Sequence, residues 1–141
     1  LKVFLDTSII VDVERGKADA IEVCRKLTAE HEALLSTVTI SEILTGSYLR
    51  KDYTKAIAKA KRVLSQFSWI DLDGAVAEKI AQLNAYLITR GEPVEYEDQA
   101  IAASYLVTNS EVMLTENKEH FTRIPALKQR TYTPEELKQK L

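Results

Sequence analysis

The chain has one cysteine, Cys24, and two histidines, His31 and His120. A lone thiol forms no internal disulfide, and a cysteine-based zinc site is excluded. Cys24 stands in line with Ala20, Ile21 and Leu27 at helical spacing, which reads as a buried, inert thiol rather than a nucleophile. The histidines are far apart and fit no metal-ligand spacing; His31, between Glu30 and Glu32, reads as a solvated loop residue. Four glycines and three prolines are spread singly, so no linker or low-complexity segment divides the sequence, and there is no internal repeat. No apolar run approaches the ~18–20 residues that span a bilayer. Val3 to Leu5 and Ile9 to Val11 come nearest, and Asp6-Thr7-Ser8 interrupts them. With no signal-peptide pattern either, the expectation is a cytoplasmic protein. Nor is there a large excess of either charge. The net charge of −2 means that the protein as a whole is no electrostatic nucleic-acid binder.

What is present fits one domain over residues 1–141, long enough for a substantial core. Short apolar runs alternate with stretches of helical period. Strands are expected at Val3–Leu5, Ala33–Val38, Trp69–Leu72, Val112–Leu114 and Arg130–Tyr132. Helices are expected at about Thr7–Glu14, Ala18–Ala29, Ile40–Leu49, Tyr53–Phe67, Ala75–Thr89 and Glu95–Thr108, with a short one at Lys118–Phe121. Gly91 and Pro93 close the helix expected at Ala75–Thr89, and Thr133-Pro134-Glu135-Glu136 reads as a capped helix start. This alternation argues for an α/β fold with a mostly parallel sheet covered by helices on both faces. In such folds ligands bind beyond the carboxyl ends of the strands.

Three carboxylates fall at that edge. Asp6 ends the first strand, Glu42 is expected in the first turn of the helix after the second, and Asp98 in the first turn of the helix that feeds the fourth. Thr115 and Asn117 follow the fourth strand directly. Each has a plainer explanation. Asp6 could cap the following helix. Thr39-Ile40-Ser41-Glu42 forms a good capping box. Asp98, with Glu95 and Glu97, could simply suit a helix N-terminus. Yet Asp98 shares a face with Ile101, Ala102 and Tyr105, where an acid without a partner is costly. Clustered carboxylates repel unless a cation sits among them, and a hard divalent ion, Mg²⁺ or Mn²⁺, suits an all-oxygen site. The implied chemistry is phosphodiester hydrolysis. From Arg50 to Arg62 there are six basic residues and one acid. That run reads either as a solvated helix face or as a strip, including Lys55, Lys59 and Arg62, that binds phosphates.

The residues resemble a known family. Leu5-Asp6-Thr7-Ser8-Ile9-Ile10 and Thr39-Ile40-Ser41-Glu42-Ile43 look like the first two motifs of the PIN domain. Asp98-Gln99-Ala100-Ile101-Ala102-Ala103 resembles its third. Leu114-Thr115-Glu116-Asn117 with Phe121 and Ile124-Pro125 is similar to its fourth. Order and spacing match over nearly the whole chain, and the size resembles the VapC toxins of toxin–antitoxin pairs. The resemblance implies a three-layer α/β/α sandwich and an Mg²⁺- or Mn²⁺-dependent ribonuclease acting on RNA. It also implies a cognate antitoxin over the active-site groove and a homodimer. Asp6 and Asp98 match the metal ligands, with Glu42 completing the acidic site directly or through water and Thr115 and Thr7 supporting it by hydrogen bonds. Asn117 stands where the family often has a fourth acid; it keeps an oxygen ligand and removes a charge. An acid, Glu116, stands next to it in sequence but is not assigned that role.

Other readings compete. A phospho-receiver domain would use Asp71 and Thr115, but it calls for an acid pair at the first strand end, where Asp6 stands alone, and it leaves Asp98 unexplained. Asp71-Leu72-Asp73-Gly74 mimics a haloacid-dehalogenase-type signature in the wrong part of the chain, and Asp73 is more simply a helix cap. A degenerate PIN fold that binds RNA or protein without cutting is kept open by Asn117, and a deoxyribonuclease by the metal chemistry, which does not distinguish sugars.

Overall fold

The computed structural model describes residues 1–141. Its elements are β1 (Lys2–Leu5), α1 (Thr7–Glu14), α2 (Ala18–Glu30), β2 (Glu32–Ser36), α3 (Thr37–Tyr48), α4 (Tyr53–Leu64), β3 (Ser68–Ile70), α5 (Gly74–Thr89), α6 (Tyr96–Val107), β4 (Val112–Leu114), a 3₁₀ turn (Lys118–His120), β5 (Thr131–Tyr132) and α7 (Pro134–Lys138). The five strands are all parallel, in the order β3-β2-β1-β4-β5.

Side chains alternate across a strand, and here that alternation separates two cores. Val3 and Leu5, Ala33 and Leu35, and Val112 and Leu114 join the core that also holds Ile9, Val23, Leu27, Ile43 and Leu64 from α1 to α4. Phe4, Leu34 and Met113 point the other way, into a core shared with Ile80 and Leu83 of α5, the Ala100–Ala103 run of α6, and Phe121 and Ile124. The result is the expected α/β/α sandwich. The central strands β2, β1 and β4 are covered on both faces and need no polar side, whereas edge strand β3 leaves Ser68 and Trp69 exposed. No helix is long and apolar enough to cross a membrane.

Helix ends are closed by local chemistry. After α5, Gly91 takes a positive φ of 63°. Its N–H bonds Ile88 O at 3.1 Å and that of Glu92 bonds Leu87 O at 3.0 Å, so two otherwise orphaned carbonyls are satisfied. At α7 the expected box is present: Thr133 accepts from the Glu136 N–H and Glu136 accepts from that of Thr133. The box expected at Thr39–Glu42 is absent. The second strand ends at Ser36, not Val38, and α3 begins at Thr37, with Ser36 Oγ accepting from Val38 N at 3.1 Å. Thr39 is inside the helix and fully buried. Glu42 therefore belongs to the second turn of α3, not the first.

Candidate active site

Because all strands are parallel, their carboxyl ends share one edge, and Asp6 and Thr115 leave β1 and β4 side by side there. The Asp6 N–H continues the ladder to Leu114 O at 2.9 Å, which fixes where its side chain emerges. Asp6 is buried at 4 % exposure. Its Oδ2 accepts from Thr115 Oγ1 at 2.7 Å and Ser8 Oγ at 2.8 Å. Asp6 occupies the position before α1 yet makes no side-chain capping bond, which removes the plain capping role. Thr115, with no exposed surface, also accepts from the Asn117 N–H at 2.9 Å. The rest of this polar network is Ser8, whose Oγ takes the Glu116 N–H at 3.1 Å.

Glu42 reaches the same edge from α3. Thr7 Oγ1 donates to Glu42 Oε1 at 2.7 Å and sits 2.8 Å from Thr39 Oγ1. Since the Thr7 proton goes to the carboxylate, Thr39 is the donor in the second bond. Loss of water on the side packed against the protein pushes the Glu42 carboxyl above its ordinary range, and the Asp6 and Glu97 charges add to this against the pull of the Thr7 hydroxyl. Asp98 stands in the first turn of α6, as expected. Burial first, then the Asp6 charge, push its carboxyl up to about 6; Glu42 adds to the rise, while His120 opposes it. The costly acid has its partner: His120 Nδ1 lies 3.0 Å from Asp98 Oδ2.

The Asp6 charge thus acts on both Glu42 and Asp98. Even so, no group of three or more His, Cys, Asp or Glu side chains stands close enough to hold a metal ion together. Glu42 is drawn to Thr7 and Asp98 to His120, and these partners direct their oxygens. The donor chemistry still suits a hard divalent cation: every donor is oxygen, and the two raised carboxyls are those that a nearby cation would relieve. Asn117 precedes the 3₁₀ turn without capping it by its side chain, so its amide is not committed to that turn. Glu116 is turned away, ion-paired with Lys17 beside Asp12, and does not take the place of a fourth acid.

A groove of about 500 Å³ runs from Glu42 between α1, α3 and α4, lined among others by Arg15, Arg50, Lys55 and Lys59. Lys59 Nζ also donates to Glu14 O at 2.8 Å, at the carboxyl end of α1. Arg62 is exposed on α4 and is not part of the groove wall. Sequence reasoning passed over His120, which only the chain's return after β4 brings to Asp98, and over Arg15 and Ser8. The one available signal for His120 was that it follows the same strand as Thr115. Asp73 caps α5 by accepting from Val76 N at 3.0 Å. β3 lies at the sheet edge, so Asp71 does not share a strand end with Asp6, as a receiver site would require.

The PIN domain family matches residues 3–127. The tRNA(fMet)-specific endonuclease VapC of Shigella flexneri is 27% identical over 128 residues, covering 91% of this chain and 96% of the relative. Among solved structures, DNA-bound VapBC from Salmonella typhimurium superposes with a TM-score of 0.84 at 26% identity, covering 95% of this chain and 98% of the other. VapBC2 from Rickettsia felis, bound to a promoter DNA fragment, gives a TM-score of 0.84 at 21% identity over 94% of this chain and 98% of the other.

Proposed function

The chain belongs to the PIN domain family, and from that premise we propose that it is a metal-dependent endoribonuclease, the toxin of a VapBC-type pair. The observation that carries this reading is the placement of Asp6, Glu42 and Asp98 along the carboxyl edge of the sheet, each held by its own partner, with Glu42 and Asp98 raised first by burial and then by the Asp6 charge. The likeness to a curated VapC endonuclease over 91% of the chain supports the same conclusion.

In this proposal residues 1–141 act as one nuclease domain. Asp6 and Asp98, with Glu42, would hold Mg²⁺ or Mn²⁺. Such an ion neutralises phosphate charge and lowers the pKa of a bound water. The protein does the positioning. Thr115 and Ser8 orient Asp6, Thr7 orients Glu42, and His120 orients Asp98, in the manner that hydrogen-bonded outer partners fix ligands. Lys55 and Lys59, with Arg15 and Arg50, would bind the RNA backbone along the groove, and Arg62 would act only at its margin. Asn117 offers a neutral oxygen where a fourth acid would raise the repulsion. The cognate antitoxin would cover the groove, and the toxin would act as a homodimer in the cytoplasm. The likeness to VapBC complexes supports the antitoxin partner.

The test is incubation of the antitoxin-free protein with total tRNA in Mn²⁺, Mg²⁺ or EDTA, beside Asp6→Ala. Cleavage in metal alone, lost in the variant, is expected. A wild type that cuts nothing and also binds no metal would leave only the degenerate, non-cutting alternative.

A further inference from the structure

Glu42 stands on a ridge between two hollows. One is the basic groove. The other, of about 540 Å³, is lined by Val38, Ser41, Glu42, Thr45, Tyr96 and Glu97. Glu42 is the one residue common to both walls. The two hollows differ in charge. Four cations line the groove, against the acids Glu14, Glu42 and Asp52. The second hollow has no cation, and its two charged residues are both carboxylates. A strand crossing Glu42 can therefore lay its phosphates in the groove, whereas a phosphate on the far side would face Glu42 and Glu97 with nothing to offset them. A neutral group belongs there.

The large apolar surface in that hollow is Tyr96. It opens α6 two residues before Asp98, is 56% exposed, and belongs to neither core. Single exposed aromatics are ordinary; this one is set apart by its place beside the carboxylates, across Glu42 from the cations. A hollow of this volume is ample for one aromatic ligand.

We propose that Tyr96 is a base-stacking platform. A nucleobase adjoining the cleaved phosphate turns into the second hollow and lies on the Tyr96 ring, while the neighbouring phosphates lie in the basic groove. The proposal rests on the ribonuclease reading above and narrows it. A paired base has both faces covered by its neighbours, so the RNA must be unpaired at that nucleotide, in a loop, a bulge or a free strand.

The test is made in EDTA, so that binding is read without cleavage. A fluorescein-labelled oligoadenylate strand and an RNA duplex of equal length are titrated by anisotropy, and a 2-aminopurine strand reports stacking by quenching. Base–aromatic stacking of the usual strength corresponds to a loss of about fivefold or more when the ring is removed. Tyr96→Ala is expected to weaken single-strand binding by that factor, to abolish the quenching, and to leave duplex binding unchanged. Tyr96→Phe is expected to behave as wild type. Should the alanine variant melt early, Tyr96→Leu keeps the apolar bulk and removes the ring. Wild-type affinity and quenching in Tyr96→Ala or Tyr96→Leu, or a Phe variant as weak as Ala, overturns the platform alone. A wild type that binds neither RNA overturns the ribonuclease reading and the platform with it.

Discussion

Thr115 Oγ1 donates to Asp6 Oδ2 at 2.7 Å across 109 residues of sequence. Both side chains leave the ends of adjacent parallel strands, since Leu5 is in register with Leu114, and the bond fixes one oxygen of the most buried acid of the site. Thr115→Val keeps the shape and removes both the donor to Asp6 and the acceptor for Asn117 N–H. Loss of an outer partner of this kind costs metal affinity or activity about 10- to 100-fold. The expected outcome is cleavage reduced within that range, with a stability loss of roughly 1–3 kcal/mol from the unsatisfied groups. Single-turnover cleavage and urea denaturation check it; an unchanged rate would mean that Thr115 only fills space.

The raised Asp98 carboxyl predicts a pH dependence of stability in EDTA. Its pKa in the folded protein is about 6, against an ordinary value of 3.8, so folding favours the protonated form. That contribution is fully present below about pH 4 and is lost as pH rises through about 6. At pH 7.5 the ionised group is a net cost on the order of 1–3 kcal/mol. Asp98→Asn should therefore melt higher than wild type at pH 7.5 and match it near pH 4. A gap that does not change with pH would trace the effect to packing instead.

Divalent metal should reverse that penalty. An ion that binds only the folded state stabilises it by mass action, by about 2.7 kcal/mol at a hundredfold excess over Kd. Mn²⁺ is expected to raise the melting temperature of wild type and to leave Asp6→Ala unmoved. Equal shifts in both proteins would place the binding elsewhere.

The basic groove makes a prediction about salt. Each phosphate contact adds about one to the slope of log affinity against log salt. Lys55→Ala and Lys59→Ala should each flatten the slope for RNA binding, the second after allowing for the lost bond to Glu14 O. Arg62→Ala, outside the groove wall, should change it least. If Arg62 changes the slope as much as Lys55, the bound strand follows the outer face of α4 instead.

Legibility in the sequence followed the range of the interactions involved. The Thr133 box and the Gly91 stop were readable because each is closed within a few residues. The parallel sheet was readable because strands buried on both faces leave short apolar runs. Thr39–Glu42 carried an equally good local signature and was misread. What sets the start of α3 is where the sheet ladder ends, with Leu35 paired to Leu5 and Ser36 to Ile70. The placement of Asp6 at a strand end and of Asp98 in the first turn of an inward-facing helix was legible. The His120–Asp98 pair was not, because it depends on the path of the chain after β4. The split of the site into a groove lined by cations and a cation-free hollow about Glu42 was hidden for the same reason, since α1, α3, α4 and α6 must first be packed together.

The central claim is that Asp98 serves the chemistry and not the fold. It is tested most directly by assaying Asp98→Ala for cleavage of tRNA in Mn²⁺, with the melting curve taken on the same sample. The account predicts a folded protein, no less stable than wild type at pH 7.5, with cleavage reduced to background. A folded Asp98→Ala protein that cuts at the wild-type rate would contradict it.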